Sequence, residues 1–186
     1  MNLDISFNTD RLRIRPLTID DKLFILELVN TTEWIQFIGD RKITTEKEAE
    51  IYIQNILEKE NIGYWTVQLK ENNNRVGIVT FLKKEYLEHP DIGFAFLPNY
   101  GKKGYAFEAS QAVLESIMEN LNLTDVLATT VPENVNSIKL LKRLGLKYQS
   151  DLQVDNEKLS VYHISADFLR INKTKDFIEL FNKGNK

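Results

Sequence analysis

The stretch 91–131 constrains this chain more than any other. "DIGFAFL" (91–97) reads as a strand, with Ile92, Phe94 and Phe96 on one face and the small Gly93 and Ala95 on the other. "PNYGKKGYAFEAS" (98–110) then sets a proline, two glycines and two lysines at the mouth of a helix. Phe107, Val113, Leu114, Ile117, Met118 and Leu121 form the apolar stripe of that helix over 104–121. "DVLATTV" (125–131) is again a strand. Strand, helix and strand in this order predict a right-handed crossover with the two strands parallel.

Around that unit the signals are mostly antiparallel. "RLRIRPL" (11–17), "YWTVQLK" (64–70) and "RVGIVTFL" (75–82) are strands, the last two joined by the polar turn "ENNNR" into a hairpin. Thr18 with Asp21, and Thr45 with Glu48, have the spacing of capping boxes and open helices from about 19 to 29 and after 45. "PENVNSIKLLKRLGL" (132–146) reads as a short helix stopped by Gly145, followed by strands at 147–154 and 159–165. The sum is an α/β (α+β) domain on a mixed, mostly antiparallel sheet flanked by helices, with residues 1–186 as one unit and 172–186 as a tail or short helix carrying the apolar patch Phe177–Phe181.

Composition narrows the chemistry. There is no cysteine, which excludes disulfides and thiol catalysis and fits a reducing compartment. His89 and His163 stand too far apart in sequence for a metal-ligand motif, so no metal is expected. Neither a long apolar run nor a leader pattern appears, so neither a membrane nor export is expected and the cytoplasm is the default. A net charge of −3 argues against direct nucleic-acid binding.

Two glycines and a helix start suit an anion. Helix N-termini carry unpaired N–H groups and partial positive charge, and glycine lets the backbone approach a phosphate. The segment Gly101, Lys102, Lys103, Gly104, Tyr105, Ala106 has that composition, but so does a plain turn with solvated lysines. The two nucleotide-loop patterns G-x-x-x-x-G-K-[ST] and G-x-G-x-x-G are absent.

Four segments together resemble the GNAT family of acetyl-CoA-dependent N-acetyltransferases, and most of all its branch acting on ribosomal-protein N-termini. "PNYGKKGYAFEA" is similar to the family's acyl-CoA loop, [QR]-x-x-G-x-[GA], with Gly104 and Ala106 matching and Gly101 replacing the Gln or Arg. "TDRLRIRPLTIDD" (9–21) resembles the branch's opening strand and helix, "IGFAFLP" (92–98) its bulged strand, and "PENVNSIKLLKRLGLKY" (132–148) its N-x-x-S helix. The resemblance spans about 8–168.

It implies a GNAT fold with a splayed parallel strand pair. Acetyl-CoA would be a co-substrate, its pyrophosphate on the N–H groups of Lys102 through Ala106 and its pantetheine arm along Phe94, Ala95 and Phe96. Asn134 would bond the pantetheine amide, although it also stands at the helix N-cap position. Lys139, Lys142 and Arg143 are available to the adenosine 3′-phosphate. The tyrosine that many members place seven residues after this asparagine is Leu141 here, so Ser137 becomes the proton donor the resemblance implies. Asp91 and Glu33 are the candidate bases. Trp34 and Phe37 could line the acceptor pocket, and Glu108 reads as a structural helix residue. The acceptor implied is a protein N-terminal α-amine, such as that of a ribosomal protein, handled by a monomer or homodimer. A small amine (polyamine, aminoglycoside or amino acid) and a non-catalytic CoA sensor are the alternatives.

Overall fold

Strand alternation, the hairpin turns and one helical crossover assemble an eight-stranded sheet in the computed structural model, which describes residues 3–169. The strands are β1 (Phe7–Asn8), β2 (Leu12–Pro16), β3 (Gly63–Leu69), β4 (Arg75–Leu82), β5 (Asp91–Phe96), β6 (Asp125–Thr130), β7 (Lys147–Val154) and β8 (Glu157–Ser165). Their order is β1-β2-β3-β4-β5-β6-β8-β7, antiparallel throughout except for β5 and β6. The tail expected from residue 172 lies outside the described residues.

Helices cover the two faces: α1 (Lys22–Val29), α2 (Thr32–Phe37), α3 (Glu46–Leu57), α4 (Tyr105–Asn120) and α5 (Val135–Arg143). Both capping boxes form. Thr18 and Asp21 open a short 3₁₀ turn that leads into α1, and Thr45 and Glu48 open α3. Gly145, at φ +95°, ends the α5 segment in the left-handed conformation. Two elements carry too weak a periodicity to be read from sequence. One is β1, two residues paired at the sheet edge. The other is α2, six residues started by Thr31, whose hydroxyl accepts from the Trp34 N–H at 3.3 Å.

The alternation in β5 sorts two cores. Ile92, Phe94 and Phe96 pack on the face that carries α4, with Val113, Leu114, Ile117, Val126 and Ala128. Ala95 packs on the other, with Ile78, Leu97 and the apolar sides of α1, α2 and α3. The strand itself differs from the bulged one the resemblance implied. Its ladder with β4 runs from Gly77↔Phe96 to Leu82↔Asp91 without a register shift. The shifts in the sheet lie elsewhere, at Val67/Gln68 in β3 and Tyr148/Ser150 in β7.

Candidate active site

A central strand should be buried along its length, and β5 is not. Asp91, Ile92 and Leu97 are buried, yet Gly93, Phe94, Ala95 and Phe96 between them are only half-buried, although β5 has strands on both sides. The cause is divergence. β5 and β6 share one paired position, Asp91↔Leu127, beside which the Leu127 N–H donates to the Pro90 carbonyl at 2.8 Å. Beyond it the strands part and leave a slot.

Which backbone groups face the slot follows from the β4 ladder. Leu97 N–H donates to Val76 O at 2.9 Å, which marks Val76↔Leu97 as a hydrogen-bonded pair. Hydrogen-bonded pairs alternate along an antiparallel ladder. Ala95, opposite Ile78, therefore spends its N–H and C=O on β4, while Phe94 and Phe96 turn theirs toward the gap. Of the three residues expected to present backbone there, Ala95 is the exception. Divergence of β6, not a bulge, frees the Phe94 and Phe96 groups.

The loop after β5 ends at Gly104, the N-cap of α4, at φ +83°. A side chain there would be strained, and its Cβ would meet the Arg11 guanidinium at 3.3 Å. Lys102 is also left-handed, at φ 59°. The N–H groups of Lys102, Lys103, Gly104, Tyr105 and Ala106 have no hydrogen-bond acceptor among the described residues. They form a run of donors at a helix start. Lys102 and Lys103 are exposed beside it, with the Lys103 ammonium 5.3 Å from the Tyr100 ring.

A network absent from the sequence reading fixes this mouth in place. Glu108 accepts from the Thr9 hydroxyl at 2.5 Å and from the Arg11 side chain at 2.7 Å, and Arg11 donates to the Lys103 carbonyl at 3.0 Å. Burial opposes the Glu108 charge, but Thr9 and Arg11 outweigh it and hold the carboxyl below its usual range. Glu108 is the structural residue expected. The role of Arg11 had no local signal, because its partner lies 97 positions away.

On α5, Asn134 is the N-cap: its Oδ1 accepts from the Ser137 N–H at 3.0 Å. Its amide nitrogen has no partner among the described residues, so a cap and a ligand donor are compatible on the two ends of one side chain. The Ser137 hydroxyl is half-buried and makes no hydrogen bond with the described residues. Leu141, by contrast, is 1% exposed in the core, so that position can only pack. Lys139, Lys142 and Arg143 are exposed on α5, and the Arg143 guanidinium stacks 4.0 Å above Phe107 of α4.

The two carboxylates expected as bases stand differently. Asp91 is 3% exposed. It accepts from the Thr129 N–H and hydroxyl at 2.8 Å each and pairs with Lys84 at 3.1 Å. Burial pushes its carboxyl up, and Lys84 and Thr129 pull it only part of the way back. It is placed as a clasp where β5 meets β6, with its oxygens already engaged. Glu33 is exposed in the first turn of α2 and unpaired among the described residues. Its neighbour Trp34 is buried, with Leu97 and Ala95 in the same apolar cluster, so Trp34 packs rather than lines a pocket, and Phe37 is half-buried.

Residues 11–147, which include the two parting parallel strands and the donor-lined helix start, match the family model of the acetyltransferase (GNAT) domain. The chain belongs to the GNAT family. It is an acetyl-transferring enzyme, and enzymes of this family generally use acetyl-CoA. The uncharacterised N-acetyltransferase YnaD of Bacillus subtilis is 33% identical to it over 140 residues, which cover 75% of this chain and 81% of YnaD. A GNAT acetyltransferase structure from Bacillus anthracis superposes with a TM-score of 0.75 at 25% identity, covering 87% of this chain and 98% of that one. A Vibrio cholerae structure provisionally assigned as a ribosomal-protein-serine acetyltransferase gives 0.72 at 22% identity, over 89% and 99%.

Proposed function

We propose that this GNAT enzyme moves an acetyl group from acetyl-CoA directly to the α-amine of a protein N-terminus, both substrates being bound together. The observation that carries the cofactor side is the half-exposed centre of β5, with Phe94 and Phe96 turning their backbone groups into the gap that opens beyond the Asp91↔Leu127 pair. An extended amide-bearing arm fits such a gap as an added strand would. The unpaired N–H run from Lys102 to Ala106 suits the pyrophosphate, Gly101 and Gly104 give the loop its close approach, and the Asn134 amide suits an arm carbonyl. Lys139 and Lys142 suit the 3′-phosphate.

The thioester supplies the acetyl group, and three things are asked of the chain. An N–H in the Phe94–Phe96 stretch meets charge developing on the thioester oxygen. The Ser137 hydroxyl is free to give a proton to the departing thiolate. The acceptor must lose its proton, and here the shortage of an available carboxylate favours an amine that needs little help. An α-amine, with a pKa of about 8, keeps a usable neutral fraction near pH 7, whereas a lysine side chain near 10.4 does not. With Asp91 engaged by three donors, Glu33 acting through water is the remaining named base. The Vibrio cholerae relative is consistent with a protein acceptor.

A panel of N-terminal peptides, spermidine and α-blocked lysine, compared at pH 7 to 8, tests the acceptor. The expected order of kcat/KM puts peptide N-termini first. A higher value for spermidine would overturn the reading and favour a small amine.

A further inference from the structure

The loop 83–90 between β4 and β5 folds back over the sheet face opposite α4. Leu87 from this loop is buried against Leu127 of β6 and Val161 of β8, with Leu152 of β7 beside them. Leu127 lies between Val126 and Ala128, which pack on the α4 face, so its own side chain is on the other side. The loop and the sheet enclose a pocket of about 230 Å³ over this patch. His89 and His163, the chain's only histidines and far apart in sequence, both line it, together with Glu88 and Ser150.

Its lining carries one carboxylate, Glu88, and no lysine or arginine, and the nearby cations are each held to other groups. Lys83 bonds the carbonyls of Leu87 and Glu88. Lys84 is engaged by Asp91 and Thr129. Lys147, opposite His163 in the ladder, lies over Phe168. Glu88 has no partner among the described residues, and Asp125 reaches the His163 Nε2 at 2.6 Å. Among the described residues, no group of three or more His, Asp or Glu side chains is placed to hold a metal ion. What lines it is a floor of leucine and valine under a rim that bears one carboxylate and two imidazoles. That suits a side chain with an aliphatic stem and a cationic head.

Position sets what could bring such a side chain there. Leu127 is the β6 partner of Asp91, so the pocket adjoins the closed end of the slot. Phe94 lies three residues further along β5, about 10 Å away at roughly 3.3 Å per residue. A peptide whose α-amine sits at Phe94 covers that span within its first few residues. Resting on the N-terminal acceptor reading, we infer that the pocket formed by loop 83–90 receives a lysine or arginine side chain at the second to fourth residue of the acceptor peptide, with Glu88 as its counter-charge.

The test uses N-terminal peptides carrying Lys, Ala or Glu at each of these positions. At one position Lys should raise kcat/KM a few-fold over Ala, about the size of one exposed charge pairing. Glu88→Gln should collapse that ratio, and Glu88→Lys should turn it in favour of the Glu peptide. With only two histidines, the imidazole NMR signals give a second readout, and the Lys peptide should shift both. Peptides acetylated without a Lys preference, or with one that survives both Glu88 variants, would overturn the pocket assignment and leave the N-terminal reading standing. Acetylation of spermidine but of no peptide would remove the N-terminal reading, and the pocket assignment with it.

Discussion

At the scale of single residues, Ser137 and Asp91 are separated by their surroundings. Asp91 stands where β5 and β6 part and Ser137 in the first turn of α5, which follows β6; one has a spare hydroxyl and the other has no spare oxygen. Ser137→Ala should therefore lower kcat by about 10- to 10⁴-fold with acetyl-CoA affinity little changed, since a lost proton donor acts on the rate. Asp91→Asn should mainly cost stability, because it loosens the Thr129 and Lys84 contacts that close the slot's narrow end. Steady-state kinetics and thermal melts on the two variants decide this. A folded Ser137→Ala enzyme with near-normal turnover would reject the proton-donor role. A large fall in kcat with unchanged stability in Asp91→Asn would restore Asp91 as the base. The Asn134 amide illustrates what sequence could not resolve. Cap and ligand look like rivals until the structure assigns its oxygen to Ser137 N–H and leaves its nitrogen over.

At the scale of elements, the crossover was legible because its signals are local. Period-two strands, a 3.6-period stripe and glycines at the helix mouth each depend on neighbours in the chain. The slot was not legible from these patterns, since the parting of β5 from β6 is a relation between residues some 36 positions apart (Asp91 and Leu127). Nor was the tie from Arg11 and Thr9 to Glu108, which aims the start of α4. That helix start yields a prediction about the element rather than any side chain on it. Gly104→Val forces a β-branched residue into φ +83° and crowds Arg11, so the run of N–H donors should be disturbed and acetyl-CoA binding lost or greatly weakened. Lys102→Ala removes only an exposed charge and should weaken binding a few-fold, more at low salt. Calorimetric titration with acetyl-CoA checks both, and matching curves for wild type and Gly104→Val would sink the loop assignment.

At the scale of the whole molecule, the residue that ties distant parts together is Asp21, read from sequence only as half of a capping box. It is fully buried. The Arg15 fork reaches it at 2.7 and 2.8 Å, Arg75 at 2.6 Å and the Thr66 hydroxyl at 2.9 Å, while the Thr18 N–H completes the cap at 3.0 Å. One carboxylate thus joins β2, β3, β4 and the entry to α1. Burial works against its charge, but these donors prevail and hold the carboxyl below its usual range. An acid lowered in the folded state stabilises above its unfolded pKa, near 3.9, and loses that contribution as pH falls through the folded value. Removing one partner of such a buried pair costs about 3 kcal/mol or more, because the two arginines are left without their counter-ion. Asp21→Asn should therefore lower Tm by roughly 6–12 °C at neutral pH. Its deficit relative to wild type should then shrink as the pH drops below about 4, where Asp21 of the unfolded wild-type chain begins to take up a proton that the folded carboxylate resists. Urea unfolding of the two proteins between pH 7 and pH 3 measures this, and a deficit constant across that range would show that Asp21 stabilises the fold through its shape and hydrogen bonds rather than its charge.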